Sequence, residues 1–308
     1  MEQVKSRIFT NRFFVAVVAL FCCALWGSAT PFIKIGYELI LPAKDVASTI
    51  LFAGVRFTLA GIFTVLIYSI GRKKFLLPKK ENLGRVATVS CFQTILQYIF
   101  FYIGLANTTG VKGTVESGSS AFFALLISSL IFKQEKLTFK KIFACIIGFA
   151  GIVLVNLNGL DFSMNFFGDG FVIFSTIALS FSSVLIKKYS QYEDPVVISG
   201  YQFIIGGIVM VLVGLLSGGR IVFPNAVAYG VLIYLALLSA AAYSLWGVLL
   251  KHNPVSKVSI YNFMTPVFGV ILTSIMLTEQ SKVEPLTLVI TLILISTGIF
   301  ILNYKKES

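Results

Sequence analysis

Gly151-Ile152-Val153-Leu154-Val155-Asn156 and Gly298-Ile299-Phe300-Ile301-Leu302-Asn303 lie 147 residues apart, and each ends a long apolar run. Upstream of each end a glutamate follows the preceding run, Glu135 in one case and Glu279 in the other. Farther upstream, Ile33-Lys34 ends the first run as Ile186-Lys187 ends the sixth. Each match is short, but three in one order divide the chain into two halves, residues 1–160 and 161–308. Crossing about 30 Å of hydrocarbon takes roughly 20 apolar residues in a helix. Ten runs qualify: 13–35, 46–70, 84–105, 111–132, 138–158, 166–187, 195–217, 226–250, 255–278 and 285–303. Five spans per half is an odd number, so the second half must cross the bilayer in the opposite sense to the first. The expected fold is an all-α membrane protein of ten transmembrane helices in a 5+5 inverted repeat, with any cargo held between the halves near the midplane.

The composition agrees with this reading. Of 308 residues, 57% are hydrophobic and 12% charged, and the mean hydropathy is +0.91. Soluble domains are about 25% charged. The connections are too short to hold a soluble domain. A net charge of +12 does not point to nucleic acid, because the bases form short clusters between apolar runs. With Lys34, Lys44, Lys112, Arg220 and Lys282 at one end and Arg56 inside a span, the other 19 of 25 basic residues gather at the end holding both termini. The positive-inside rule makes that end cytoplasmic, in a multi-pass protein of a prokaryotic plasma (inner) membrane. The basic N-terminus leads into an apolar stretch that continues past Trp26, too long for a cleaved signal peptide. Cys22, Cys23, Cys91 and Cys145 all fall inside spans, which argues against a disulfide framework and against a metal site. His252, beside Lys251 at a span end, reads as a loop residue rather than a metal ligand.

Polar side chains within the spans are few enough to name. In Val111-Lys112-Gly113-Thr114-Val115-Glu116-Ser117-Gly118-Ser119-Ser120, a step of 100° per residue puts Lys112, Glu116, Ser119 and Ser120 on one side. Glu116 is read as the one acid inside an apolar run, where a carboxylate must face a cavity or a partner. Two readings stand: contact with substrate or a proton, or an ion pair with Lys112 one turn back. Arg56 lies roughly 15 Å deep in span two. Bonding to backbone carbonyls or to Glu116 would make it structural, and that is preferred over binding a substrate carboxylate. Span three turns Gln97, Tyr98, Phe101 and Thr94 toward one sector, flanked by Gln93 and Tyr102. Glutamines in hydrocarbon need a cavity or a neighbouring helix, and Gln202 beside Tyr201 in span seven has the same two readings. Span eight groups Ser239, Tyr243 and Trp246, where Trp246 has an interfacial anchor as its alternative. Trp26 sits too near the middle of span one for that role. In span nine Ser259, Asn262, Pro266 and Thr273 share a face, and Pro266 frees the Asn262 carbonyl for a substrate or for a packed kink. The small residues Ala144 and Gly148, and Gly206 and Gly207, suit close helix packing or a dimer surface.

Several short motifs recur in a familiar order. They are Trp26-Gly27-Ser28, Arg56-Phe57, Glu135-Lys136-Leu137-Thr138, Gly168-Asp169, Asp194-Pro195, Tyr201-Gln202, Tyr243 with Trp246, and Pro266-Val267-Phe268. On these the chain resembles an EamA-type member of the drug/metabolite transporter superfamily over nearly its whole length. The resemblance implies a 5+5 inverted-repeat fold, a central cavity and movement of small metabolites such as amino acids. Two positions depart from the pattern. Phe122 stands where a first-half counterpart of Pro266 is expected, and Glu116 adds a charge to a lining that is usually uncharged.

The expected function is secondary transport by alternating access, with export of amino acids or related compounds preferred. The polar and aromatic side chains just named line the substrate path, with Arg56 and Lys112 as structural or coupling charges. The partners are a small-molecule substrate and the lipid bilayer. Protons acting through Glu116, or no coupling at all, would set the driving force, in a monomer or a homodimer. No G-x-x-x-x-G-K-[ST] segment is present, so ATP is not the direct driver, and no cofactor is expected. One histidine and scattered cysteines supply no catalytic constellation, so the chain does not read as an enzyme. The runner-up is an importer of a cationic or quaternary-ammonium metabolite that uses Glu116 and stacked aromatics. A rival of another class is a structural or sensory bundle that transports nothing.

Overall fold

The computed structural model describes residues 8–43, 45–157, 163–276 and 285–304. Glu279, Lys44 and Lys282 lie outside the described residues. Ten helices are long and apolar enough to cross a bilayer: α1 (Arg12–Ile40), α2 (Val46–Gly71), α3 (Lys80–Ala106), α4 (Gly110–Ile131), α5 (Phe139–Asn156), α6 (Phe166–Tyr189), α7 (Pro195–Leu216), α8 (Ala226–His252), α9 (Val255–Met276) and α10 (Leu286–Asn303). The described residues contain no strand. Polar side chains set the helix starts by accepting from otherwise free amides. Asn11 accepts from the Phe13 and Phe14 amides at 3.0 and 3.2 Å, Asp45 from Ser48 at 2.7 Å, and Asn225 from Ala228 at 3.0 Å. The boundaries match the hydropathy reading closely except in α1, which runs to Ile40. Its last turns carry Lys34 and Glu38, both exposed and one turn apart, so charge here marks where the helix leaves the apolar layer and not where it ends.

The start of α1 and the end of α10 meet at one end of the bundle, where Arg12, Phe13, Asn303 and Tyr304 border a common cleft. That end is called the near end below, and its opposite the far end. The most extensive helix pairings are α2 with α7, α5 with α10, α1 with α8 and α9, α2 with α8, and α3 with α6. Glycine makes the α2–α7 crossing possible. A Cβ on Gly61 would meet the Gly200 carbonyl at 2.5 Å, and one on Gly207 the Thr58 amide at 2.5 Å. In lipid, which gives helices no hydrophobic reason to associate, such backbone approach supplies the packing. Ala144 and Gly148 serve the same purpose inside the chain, since a Cβ on Gly298 would meet the Ala144 carbonyl at 2.7 Å. They form the α5–α10 crossing and not a dimer surface.

Four spans depart from a regular α-helix, α6 among them with a π-turn at Phe166–Gly170. In α9 a regular turn over Val255–Ser259 tightens to a 3-10 turn at Ile260–Phe263 before the helix resumes at Met264. Pro266 lacks an N–H and its ring crowds the carbonyl four residues back, at Asn262, so the preceding turn tightens. In α3 the turn Cys91–Leu96 widens to a π-helix. The wide turn breaks the 100° count, so Thr94 faces α7 while Tyr98 faces α8. In α4 the helix is interrupted at Ser119, between Gly110–Gly118 and Ser120–Leu126.

Candidate functional site

At mid-depth, aromatic side chains from five helices meet. The Trp26 ring lies 5.1 Å from Tyr243 and 5.0 Å from Trp246, both edge-on. The Tyr98 and Tyr243 hydroxyls are 2.8 Å apart. Phe57 joins from α2, 4.4 Å from Tyr98 and stacked at 5.1 Å on Phe203 of α7, while Phe101 packs beside Tyr102 at 5.6 Å. In this arrangement the rings fill the space between the helices by packing on one another. Trp246 is only 3% exposed, so it belongs to the interior and not to an interfacial belt. Trp26 Nε1, within the ring cluster, is buried and lacks a partner among the described residues, as do Gln93 Oε1 and Gln97 Oε1 on α3 and Ser244 Oγ on α8. Such atoms cost free energy unless something bonds them. Arg56, 4% exposed, directs Nε and Nη2 to the Ser239 hydroxyl of α8 at 3.3 and 2.9 Å. Among the described residues it bonds neither to Glu116 nor to a backbone carbonyl; Ser239 stands opposite it instead.

A second cluster occupies the far end. The Lys112 ammonium pairs with Asp169 at 2.9 Å, both groups buried. Asp169 also accepts from the Asn165 amide at 2.7 Å and from the Thr108 hydroxyl, and Lys112 donates to the Ser163 carbonyl as well. Asp169 lies in the first turn of α6 with no exposed surface, which corrects the reading of Glu116 as the one intramembrane acid. Lys112 therefore bonds to Asp169, while Glu116 Oε2 is buried with no hydrogen-bond partner among the described residues.

The near end is tied by Glu135, which follows α4. Its two oxygens accept from Ser128 Oγ at 2.7 Å, Lys141 Nζ at 2.6 Å, the Ser256 amide at 3.0 Å and the Ser256 hydroxyl. The Ser256 amide is one of the free donors at the start of α9, so the carboxylate caps that helix from another. Burial alone would raise the Glu135 carboxyl, yet the Lys141 and serine hydrogen bonds outweigh it and hold it below the usual range. Nearby, Lys187 caps the end of α8 through the Leu250 and Asn253 carbonyls at 3.2 and 2.6 Å.

The remaining named residues scatter. Tyr201 donates to the Leu76 carbonyl at 2.9 Å near the near end and is not part of the ring cluster. Gln202 accepts from Thr94 Oγ1 at 2.6 Å, which ties α7 to α3. Ser119 donates to the Glu116 carbonyl at 2.5 Å, and the Ser120 carbonyl accepts from Ser180 at 3.0 Å. Asn262 and Pro266 are half-buried on α9. Tyr37, Phe57, Phe203 and Asp169 were not singled out as site residues. Phe57 and Asp169 carry a legible signal, in the Arg56-Phe57 and Gly168-Asp169 pairs. Among the described residues no group of His, Cys, Asp and Glu could hold a metal ion.

Known proteins with the same pattern are transporters. An uncharacterized transporter of Synechocystis sp. is 25% identical, over 99% of this chain and 94% of its own length. One from Archaeoglobus fulgidus is 25% identical over 94% and 99%, and the uncharacterized transporter YvbV of Bacillus subtilis 24% over 95% and 92%. A crystal structure covering 95% of this chain and 97% of its own superposes with a TM-score of 0.78 at 15% identity, which establishes a shared fold. The model of the EamA-like transporter family matches residues 13–157 and again 166–304, five helices each time. The far-end lysine–carboxylate pair, the near-end Glu135 cap and the ring cluster between them are thus the internal furniture of a multi-pass membrane transporter, and the chain belongs to the EamA-like transporter family.

Proposed function

We propose that the chain exports small polar or amphipathic metabolites, amino acids foremost, by alternating access. The observation that carries this is the mid-depth ring cluster, drawn from both halves and bordered by polar atoms that lack partners. A guest with both donors and acceptors would satisfy Gln97 Oε1 and Trp26 Nε1 together, while the rings take its apolar part. For that guest to enter, the rings must part, which a relative movement of the two halves, residues 1–160 and 161–308, would accomplish. An inverted 5+5 relation between them is supported by the helix pairings. Exchanging each helix for the one five places along turns α1–α8 into α6–α3 and returns α2–α7 and α5–α10 to themselves. The near end is assigned to the cytoplasm of a prokaryotic plasma membrane, as the clustered bases indicate. Glu135 then latches the cytoplasmic side. We assign proton coupling to Glu116, whose buried Oε2 has no hydrogen-bond partner among the described residues and would take up and release the proton. The cationic-importer reading loses ground here, because Arg56 places a positive charge at the rings and Glu116 belongs to a different cluster.

Purified protein in liposomes preloaded with labelled amino acids tests this. Efflux well above empty liposomes, accelerated by an opposing proton gradient, is expected. In Glu116→Gln the efflux should persist while its dependence on the proton gradient falls away. No efflux of any amino acid, with uptake of a quaternary amine instead, would reverse the assignment.

A further inference from the structure

We infer that Arg56 and the tyrosines around it form a subsite for a single carboxylate of the transported molecule. This rests on the transport reading above. A guanidinium carries five N–H donors in a planar fork. At Arg56 two of its nitrogens aim at one neutral oxygen, Ser239 Oγ, whose own hydrogen goes to the Leu235 carbonyl at 2.9 Å. Among the described residues no ion pair involves Arg56, which is 4% exposed. The chain's other strongly buried cation, Lys112, does have its carboxylate, Asp169. A buried charge served by one hydroxyl and by the Phe57 ring, 5.1 Å away, is still costly, and a carboxylate that engages the fork through two hydrogen bonds is its best complement.

The surroundings are also rich in donors. Tyr37, Tyr98, Tyr102 and Tyr243 all lie within the field of the Arg56 charge. The Tyr98 and Tyr243 hydroxyls share a single hydrogen bond at 2.8 Å, which leaves one hydroxyl hydrogen of the pair for a guest. Trp26 Nε1, against Tyr243, is a further donor without an acceptor. Positive charge, two spare donors and aromatic walls describe a receptor for a carboxylate on an aromatic or apolar body. Once the rings part, such a body would pack against Phe57 and Trp26.

The test uses purified full-length protein in detergent and four probes: 3-phenylpropanoate, its amide, L-phenylalanine and L-phenylalaninamide. Thermal-shift titration should give each carboxylate an affinity at least about tenfold above its amide. Arg56→Gln should erase that preference while leaving the weaker amide binding in place. Arg56→Lys, which keeps the charge and loses the fork, should fall between the two and serves as the decisive arm should the neutral variant not fold. A merely structural arginine would lower the melting temperature and leave the carboxylate-to-amide ratio unchanged, and that result overturns the inference. Equal binding of acid and amide by the wild type also overturns it, as does failure of all four probes to bind. Liposome efflux of other small molecules separates the two levels. Flux without carboxylate preference leaves the transporter reading standing and removes the subsite, whereas no flux at all removes both.

Discussion

Glu135 is the residue whose loss should be felt most in stability. It is 7% exposed in its side chain and gathers four donors, one of them the Lys141 ammonium and two from Ser256 of α9. Replacing it with alanine leaves the Lys141 ammonium only the Lys136 carbonyl and uncaps α9, at a cost of about 3 kcal/mol. The melting temperature of the detergent-solubilised Glu135→Ala protein should fall accordingly. The pH dependence has a definite sign. The carboxyl is held below its ordinary value in the folded chain, so its contribution is complete above about pH 4.3, the unfolded value, and drains away as pH falls through the folded one. Wild type should therefore lose stability on acidification below that point more steeply than Glu135→Gln, which has nothing there to protonate. Equal acid sensitivity of the two would show that the latch contributes nothing.

Among the elements, the α2–α7 crossing depends most on what is missing from its side chains. Gly54 and Gly61 on one helix and Gly200, Gly207 and Gly214 on the other recur every seven residues, which keeps them on one stripe of each helix. Gly207→Leu would drive a side chain into the Thr58 amide and hydroxyl, each 2.5 Å from the first added carbon. The two helices must then separate, costing about 1–3 kcal/mol or more. Gly230→Leu on α8, with nothing within 4 Å, is the matched control and should leave the melting temperature unchanged. The sequence reading named Gly206 and Gly207 as thinning this span, yet it could not say which helix would come close. The irregular turns were legible to different degrees. Pro266 announces its own kink, whereas the π-turn at Cys91–Leu96 has no residue that forces it. The helical count across span three consequently grouped Thr94 with Gln97 and Tyr98, which in fact face different neighbours.

For the whole molecule, the assignment of the near end to the cytoplasm makes a direct prediction. On a background without the native cysteines, Arg220→Cys at the exposed far end should react with an impermeant maleimide added to intact cells. Lys136→Cys at the exposed near end should react only after permeabilisation, and the reverse pattern would invert the protein. What the amino-acid order determined unaided was the number of spans, nearly all their boundaries, the clustering of bases at one end and the family. Hydropathy, capping residues and charge between spans are local properties that a one-dimensional chain displays openly. Only the tertiary structure decided which polar groups meet. Lys112 finds Asp169 across 57 residues, Glu135 finds Ser256 across 121, and Arg56 finds Ser239 across 183. No periodicity links positions so far apart. Within a bilayer each buried polar group must take whatever partner the helix packing brings, and that packing is set by small residues whose contacts are spread over the whole bundle.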